Sequence, residues 1–291
     1  MLKLAIVSVL ATVATASTVT AKIPLAAGSQ PCAAAAGGKY VWVSEFAAPY
    51  LAKIDPRTDK VVGRTQIGSG SCGLGYGAGS LWIEDTNSNT VSRVSAATGK
   101  RQKAIPVGFT PYDATFAYGA AWTTAYGSGD VERIDPAKNK VVKKWKLSSP
   151  IGVVGAFGSV WATGLDGVIR IDPATNRVTA RIKMKSGAGW TAASDDAIWV
   201  TDLLSQVSRI DPQTNTVTAT VKLVGNLGDP AVVGGKVWVP EIQQNDVAIV
   251  DPETSDVTRL KTGVGPFVVT EIAGEAWIPS YKGRDVWRFT T

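Results

Sequence analysis

Residues 198–223 read IWVTDLLSQVSRIDPQTNTVTATVKL and combine a strand signature with a turn signature. Trp199 stands between two β-branched residues, and apolar and polar residues alternate in the short segments that follow, which predicts half-buried strands. Asp211-Pro212 with Asn215 behind it predicts a tight turn, because Asp caps its own turn, Pro presets φ and Asn tolerates the left-handed conformation. The segment has no helical periodicity.

This pattern recurs through the chain of 291 residues, with tryptophans spaced 38 to 40 residues apart. Five of the repeats carry an Ile-Asp-Pro or Val-Asp-Pro turn after the tryptophan, and the Arg before most of them recurs with the repeat, which indicates a structural role. A period near 40 with about four short strands is typical of a propeller blade. The sequence predicts an all-β, seven-bladed β-propeller with four-stranded blades, and its repeated core tryptophans are Trp42, Trp82, Trp122, Trp161, Trp199, Trp238 and Trp277.

The two ends of the chain indicate how the ring closes. After Trp277 the chain stops where the third strand of the last blade finishes, and residues 18–25, TVTAKIPL, resemble the fourth-strand segment TVTATVKL at 216–223. We expect the N-terminal strand to complete the last blade and to remove an open sheet edge. Residues 17–291 are therefore predicted to form a single propeller domain.

Residues 1–16 are typical of a signal peptide, with Lys3, an apolar run and an Ala-Thr-Ala cleavage site at 14–16. The mature chain, which has no other candidate transmembrane segment, is predicted to be exported to the periplasm or secreted. Cys32 and Cys72 each lie ten residues before their blade tryptophan, at equivalent positions of adjacent blades. An even cysteine count in an exported protein favours a disulfide. The alternative is two small buried apolar residues near the axis.

Gly68, Gly70 and Gly73 form a literal GxGxxG, a pattern found in dinucleotide-binding loops. A strand follows it here, so the helix N-terminus that holds phosphate in such folds is missing. We interpret the glycines as positions of close backbone approach near the propeller axis.

The chain contains no histidine, which removes the commonest general base and His-based metal sites. Four acidic residues stand three positions after a blade tryptophan, where they are predicted to ring one end of the channel: Glu45, Asp85, Asp202 and Glu241. Aromatic residues fall in the same loop sets: Phe46, Tyr112, Tyr126, Trp190, Phe267 and Tyr281. Such a set suits a cation, an amine or a sugar. In the alternative interpretation, the acids are solvated or pair with neighbouring Lys and Arg.

The net charge is +6, and basic residues concentrate in the outer strands predicted for blades 3 and 4, for example Lys140, Lys144 and Arg181. They indicate either a polyanion surface or a solvated face. Nucleic acid is not the expected partner.

The motif at 208–217, SRIDPQTNTV, together with Val41-Trp42-Val43, resembles bacterial propellers of the YVTN type and the virginiamycin B lyase (streptogramin lyase) relatives. The resemblance covers essentially the whole mature chain and implies a propeller. The lyases use a catalytic histidine and a divalent metal, and no position here supplies that histidine.

Three hypotheses follow from these observations. The favoured one is an exported, monomeric binding scaffold for a protein, a glycan or a small ligand, without an evident cofactor. The second is a lyase- or lactonase-type enzyme that binds Ca²⁺ or Mg²⁺ through the acidic residues. The third is polyanion binding through blades 3 and 4.

Overall fold

The computed structural model describes residues 17–291, and the predicted signal peptide at 1–16 lies outside the described residues. Seven four-stranded antiparallel sheets form the blades of a β-propeller, as predicted. The first strand in the chain is β1 (Thr18–Pro24). Blade 1 consists of β2 (Pro31–Gly37), β3 (Tyr40–Glu45), β4 (Tyr50–Asp55) and β5 (Lys60–Gln66). Blade 2 consists of β6 (Ser71–Gly77), β7 (Ser80–Asp85), β8 (Thr90–Ser95) and β9 (Arg101–Pro106). Blade 3 consists of β10 (Pro111–Ala117), β11 (Ala120–Ala125), β12 (Asp130–Asp135) and β13 (Lys140–Lys146).

The remaining blades follow in the same order along the chain. Blades 4 and 5 consist of β14 (Val153–Ala156), β15 (Ser159–Gly164), β16 (Gly167–Asp172) and β17 (Arg177–Ile182), and of β18 (Thr191–Ala193), β19 (Ile198–Thr201), β20 (Gln206–Asp211) and β21 (Thr216–Lys222). Blade 6 consists of β22 (Ala231–Val233), β23 (Lys236–Glu241), β24 (Asp246–Val250) and β25 (Val257–Lys261), and blade 7 of β26 (Thr270–Ile272), β27 (Glu275–Pro279) and β28 (Asp285–Thr290) with β1 outermost. Short 3₁₀ turns span Thr86–Ser88 and Tyr126–Ser128. Within 17–291, no helix is long and apolar enough to cross a membrane.

The ring closes through the N-terminal strand, which confirms that prediction. Strand β1 pairs antiparallel with β28, from Thr18 opposite Thr290 to Pro24 opposite Asp285. Because this strand comes from the other end of the chain, blade 7 joins the two termini by hydrogen bonds and leaves no unpaired third-strand edge there.

The repeated tryptophans form the core between blades. All seven are at most 1% exposed. In the first four blades the indole N–H donates to the carbonyl five residues earlier, as Trp42 does to Gly37 and Trp122 does to Ala117. The tryptophan strand is thereby fixed to the inner strand of its own blade.

The glycine-rich strand β6 lies close against the inner strand of the next blade. A Cβ added to Gly73 would lie 2.7 Å from the Cα of Asp113, and one added to Gly75 would lie 2.8 Å from the Cα of Thr115. Both distances are too short for a side chain, so these glycines permit the close approach of two inner strands.

Arginines of the repeat connect neighbouring blades. The Arg133 guanidinium donates to the carbonyl of Pro173 and to the amide oxygen of Asn176, both at 2.7 Å. The same connection, which we call the arginine clamp, links Arg93 to Pro136 and Asn139, Arg170 to Pro212 and Asn215, and Arg288 to Pro56 and Asp59.

Arg209 departs from this arrangement. Its guanidinium donates to Asp196 at 2.7 Å and to Thr218 at 3.1 Å, within its own blade. The turn of blade 6 that it would reach carries Ser255 where the four clamped turns carry Asn or Asp. A cleft of about 810 Å³ lies between blades 5 and 6 at this point, bordered by Arg209 and Pro252 among others.

Candidate functional site

Two sets of loops meet on one face of the propeller. They are the loops that follow the tryptophan strands and the loops that lead into the inner strands. On this face, near the channel axis, lies a cavity of about 230 Å³. Five aromatic rings from blades 1, 3, 5 and 7 line it, and we call it the aromatic cup: Phe46, Tyr112, Trp190, Phe267 and Tyr281.

The rings of the cup contact one another in a continuous series. Tyr112 stacks on Trp190 with 5.5 Å between ring centroids, and Trp190 meets Phe267 edge-on at 5.1 Å. Tyr281 lies 5.5 Å from Phe267 and 5.4 Å from Phe46. Aromatic pairs at these distances stabilise one another's orientation, so the cup is preformed without a ligand.

Tyr126, which the sequence placed in the same set, lies at the rim. Its ring stacks on Tyr112 at 5.4 Å, but its side chain is 40% exposed and borders the cup from outside. The structure therefore brings all six predicted aromatic residues together, five as walls and one as an outer support.

The floor of the cup includes the Cys32–Cys72 disulfide. Each cysteine lies on the inner strand of its own blade, and the two Cα atoms are 5.0 Å apart. This separation falls within the range that a disulfide requires. The bond joins blades 1 and 2 directly beneath the aromatic rings, since both sulfur-bearing residues line the cavity.

Glu84 is the single ionisable carboxylate in the cup wall, and the sequence analysis did not single it out. Its side chain is buried, and its Oε1 accepts the backbone N–H of Cys72 at 2.9 Å and of Gly73 at 2.8 Å. Burial raises the pKa of the Glu84 carboxyl well above its usual range, and the charge of Asp85 raises it further.

A positional signal marks Glu84 in the repeat. The residue two positions after the tryptophan is Ser, Thr or Pro in the other six blades. Where it is Ser or Thr, its hydroxyl can donate to the inner strand of the next blade, as Ser44 does to the Cys72 carbonyl and Thr124 to the Ile151 carbonyl, both at 2.7 Å. An ionised carboxylate cannot make this bond, so Glu84 is an exception with a chemical consequence.

Thr86 takes over the missing contact beside Glu84. Its Oγ1 lies 2.8 Å from Glu84 Oε2 and 2.8 Å from the carbonyl oxygen of Pro111 on the next blade. Glu84 and Thr86 therefore form one hydrogen-bonded unit in the wall of the cup.

The four acidic residues predicted to ring the channel do not meet. Glu45 is buried and bonded to Arg64, and Glu241 is buried and bonded to Arg259 at 2.7 Å. Asp85 accepts the hydroxyl of Ser71 at 2.7 Å, and Asp202 accepts the backbone N–H of Gln206 at 2.9 Å. Three of these carboxylates pair with an arginine of their own blade, Asp85 with Arg101 at 3.5 Å, which agrees with the alternative of pairing. Asp202 instead accepts hydrogen bonds from hydroxyl, amide and backbone groups.

The remaining carboxylates do not form an evident metal site. Within residues 17–291, no three side chains of the metal-ligating types come together. The second hypothesis, in which the acidic residues bind Ca²⁺ or Mg²⁺, therefore finds no group of three such side chains in this part of the chain. We conclude that the cup, and not the acidic residues, is the candidate site.

The basic outer strands are partly neutralised. On β13, Lys144 pairs with Glu132 at 2.5 Å and Lys146 pairs with Asp130 at 2.8 Å. Arg133 is occupied in an arginine clamp. Lys138 pairs with Asp135 at 3.3 Å. Four of the six basic residues between 133 and 146 thus have partners inside their own blade or the next one.

Comparison with known proteins supports the fold and no closer relationship. No protein-family model matches the sequence, and no curated protein matches it. Among solved structures, the chain is similar to Kuenenia stuttgartiensis hydrazine synthase, with a TM-score of 0.77 and 16% sequence identity over 92% of this chain and 97% of that chain. At this identity the similarity shows the propeller fold alone.

Proposed function

We propose that this protein is an exported β-propeller that binds a small organic ligand in the aromatic cup. The single observation that carries the proposal is the convergence of five aromatic rings from four blades around one cavity. A cavity lined by apolar rings with a few polar groups is the usual form of a small-molecule site.

The size of the cup favours a small ligand over a glycan or a protein segment. Its volume of about 230 Å³ lies below the roughly 300–1,000 Å³ that drug-sized ligands occupy. Trp190 is 8% exposed, so most of its ring faces neighbouring side chains and the cavity. A ligand of few heavy atoms fits these dimensions.

Two features support export. The N-terminal residues have the composition of a signal peptide, and a disulfide joins Cys32 and Cys72. Disulfides form and persist in oxidising compartments. The ligand would then be encountered outside the cytoplasm.

The experiment is a thermal unfolding scan of the purified protein with choline, methyl glucoside or benzoate as separate probes. A probe at a hundredfold excess over its Kd adds about 2.7 kcal/mol to the free energy of unfolding. We expect at least one probe to raise the Tm of the wild type and to lose that effect in Tyr281→Ala.

The matched control is Phe109→Ala. Phe109 lies on the same face, but its side chain is 68% exposed and does not line the cup. The response of this variant to the probes should equal that of the wild type. A Tm unaffected by every probe, or raised equally in Tyr281→Ala, would contradict the proposal.

A further inference from the structure

We infer that the cup takes an organic ammonium cation, and that the Glu84 carboxyl gives up its proton when the cation binds. This inference rests on the proposed function and names the ligand class of the same site. Three structural observations carry it: the composition of the wall, the hydrogen bonds of Glu84 and Thr86, and the charges around them.

The wall of the cup is complementary to a cation. Aromatic faces attract ammonium groups through the ring quadrupole, and cages of such rings bind quaternary ammonium ligands. Besides the aromatic rings, the disulfide and Thr86, the cavity is lined by the single carboxyl of Glu84 and by no Lys or Arg of the described chain. A positive ligand would therefore meet five aromatic rings and one acidic group without a competing Lys or Arg in the cavity lining.

The hydrogen bonds of Thr86 indicate the protonation state of the Glu84 carboxyl. A threonine hydroxyl carries one hydrogen, but Thr86 Oγ1 has two oxygen neighbours at 2.8 Å, Glu84 Oε2 and the carbonyl oxygen of Pro111. The carbonyl only accepts. Both contacts are hydrogen bonds when the Glu84 carboxyl is protonated and donates to Thr86, which then donates to Pro111.

Burial favours the same protonated form. The Glu84 side chain is fully buried, and this raises its pKa well above the usual range. The hydrogen bonds that the ionised form would accept from Thr86, Gly73 and Cys72 lower the pKa, but burial has the larger effect. An uncompensated carboxylate is costly in such a site, whereas a bound ammonium group compensates it.

The groups that surround Glu84 do not supply this compensation. Its own strand β7 adds the negative charge of Asp85, and β10 contributes Tyr112 and Asp113, both with a pKa raised by burial. On β8, Arg93 lies over the Trp82 ring and reaches Pro136 of the blade 3 turn instead.

The other groups around Glu84, on β6 and across the cup, carry no charge near neutral pH. The inner strand β6 offers only backbone N–H groups and the disulfide-bonded Cys72. Across the cup, Tyr281 has a pKa raised by burial and by the neighbouring Tyr112. The positive charge that pairs with an ionised Glu84 thus has to come with the ligand.

The binding step balances in protons and charge. The neutral carboxyl and a ligand R₄N⁺ give a carboxylate–ammonium pair, and one proton passes to the solvent. Because a proton and the cation compete for Glu84, the apparent affinity for a permanent cation should rise about tenfold per pH unit below the pKa of Glu84 and level off above it.

The test is calorimetric titration of the purified protein with choline and with its neutral isostere 3,3-dimethylbutan-1-ol across a pH series. Each titration is repeated in two buffers of different ionisation enthalpy, which counts the protons released. We expect choline to bind more tightly than the isostere, with release of up to one proton and the stated pH dependence.

The variant Glu84→Gln keeps an oxygen for the Cys72 and Gly73 N–H groups and mimics the neutral carboxyl. We expect it to prefer choline over the isostere less than the wild type does, without proton release or pH dependence, because only the aromatic rings then favour the cation. Thermal unfolding of this variant checks that the propeller is intact, and retained binding of the isostere provides a second check.

The outcomes separate the two proposals. Equal, pH-independent binding of choline and the isostere to the wild type would overturn the cation inference and leave a small-molecule cup. A preference for choline in Glu84→Gln as large as in the wild type, or proton release that persists in this variant, would overturn the role of Glu84. Binding of neither probe would overturn the inference, and the unfolding scans with methyl glucoside and benzoate would then decide the proposed function.

Discussion

Arg209 donates to Asp196 of its own blade with 2.7 Å between Nη2 and Oδ2, although the equivalent arginines of four other blades clamp the turn of the next blade. Those four guanidinium groups also lie 4.7–5.4 Å from the ring centroids of their blade tryptophans. In each clamp, the Asn or Asp three residues after the turn proline accepts a hydrogen bond from the arginine. In the blade 6 turn this residue is Ser255, whose side chain is too short to reach Arg209. The seam between blades 5 and 6 is therefore weaker than the clamped seams.

Ser255→Asn should restore the clamp at this seam. The longer side chain places an amide oxygen where Asn215 and Asn176 have theirs, and Arg209 gains a partner in blade 6. We expect the free energy of unfolding to rise by about 1 kcal/mol, a typical net value for one hydrogen bond. Urea denaturation measures it, and the gain should vanish in an Arg209→Gln background. A gain that persists without Arg209 would show that the turn itself, not the clamp, was improved.

Asn176→Ala should weaken a clamped seam. The change removes the acceptor of the Arg133 guanidinium, and hydrogen bonds to charged groups contribute about 1.5–3 kcal/mol. Ser255→Ala is the matched control, because Asn176 and Ser255 both have a left-handed φ, 58° and 65°, but only Asn176 binds an arginine. Equal losses in the two variants would mean that backbone conformation, and not the clamp, is what the asparagine provides.

Loss of the disulfide should lower the stability of the whole ring. Cys32 and Cys72 are 40 residues apart, and a loop of that length corresponds to about 4 kcal/mol in the chain-entropy model. We expect the double variant Cys32→Ser, Cys72→Ser to unfold at a lower denaturant concentration than the wild type, with a free energy of unfolding that is lower by up to this amount. Wild type treated with a thiol reductant should match it, and a reductant without effect on the unfolding midpoint would argue against the bond.

Asp113 should make stability decrease with rising pH. Burial raises the pKa of its carboxyl to about 6, above the value near 3.9 in an unfolded chain, although the N–H groups of Val153 and Ala114 lower it. A group with a raised folded-state pKa stabilises the fold fully below its unfolded pKa, and this stabilisation is lost as the pH rises through the folded-state pKa.

We therefore expect the free energy of unfolding to fall between about pH 4 and about pH 6, on top of the titration of other groups. Asp113→Asn should flatten this decline, even though the variant loses an acceptor for one backbone N–H. Urea unfolding at several pH values, with each protein compared with itself, measures the slope. An unchanged slope in Asp113→Asn would assign the decline to another carboxyl, such as the buried Asp229, whose pKa is also raised.

The fold could be predicted because its determinants recur. Every blade repeats the Trp and the alternating strands, and five blades repeat the Asp-Pro turn. A weak signal in one repeat can therefore be interpreted from its equivalents in the others. The same alignment placed the aromatic residues on one face, since equivalent loops of a propeller share a face. Tyr112 and Tyr281 could thus be assigned to one site although 169 positions separate them in the chain.

The site's carboxyl could not be predicted with the same reasoning. Glu84 and Asp85 are adjacent, and strand alternation directs them to opposite sides, one towards the cup wall and one towards Ser71 and Ser92 of its own blade. Asp85 was the predicted site residue because acidic residues recur at its position in the repeat. Recurrence marks structural roles in a repeat protein, whereas the exception to the repeat, here Glu84, is where the site departs from the scaffold.

The pairing of β1 with β28 also has a mechanical consequence. Thr18 lies opposite Thr290, with their hydroxyl oxygens 3.0 Å apart, so the two ends of the folded chain are side by side. A force that pulls these ends apart would load the hydrogen bonds of this pair one after another, like a zipper, rather than all together in shear. The strand pair that closes the ring would thus be the first to bear such a force, and Arg288, which holds Pro56 of blade 1, would be the next connection to bear the load.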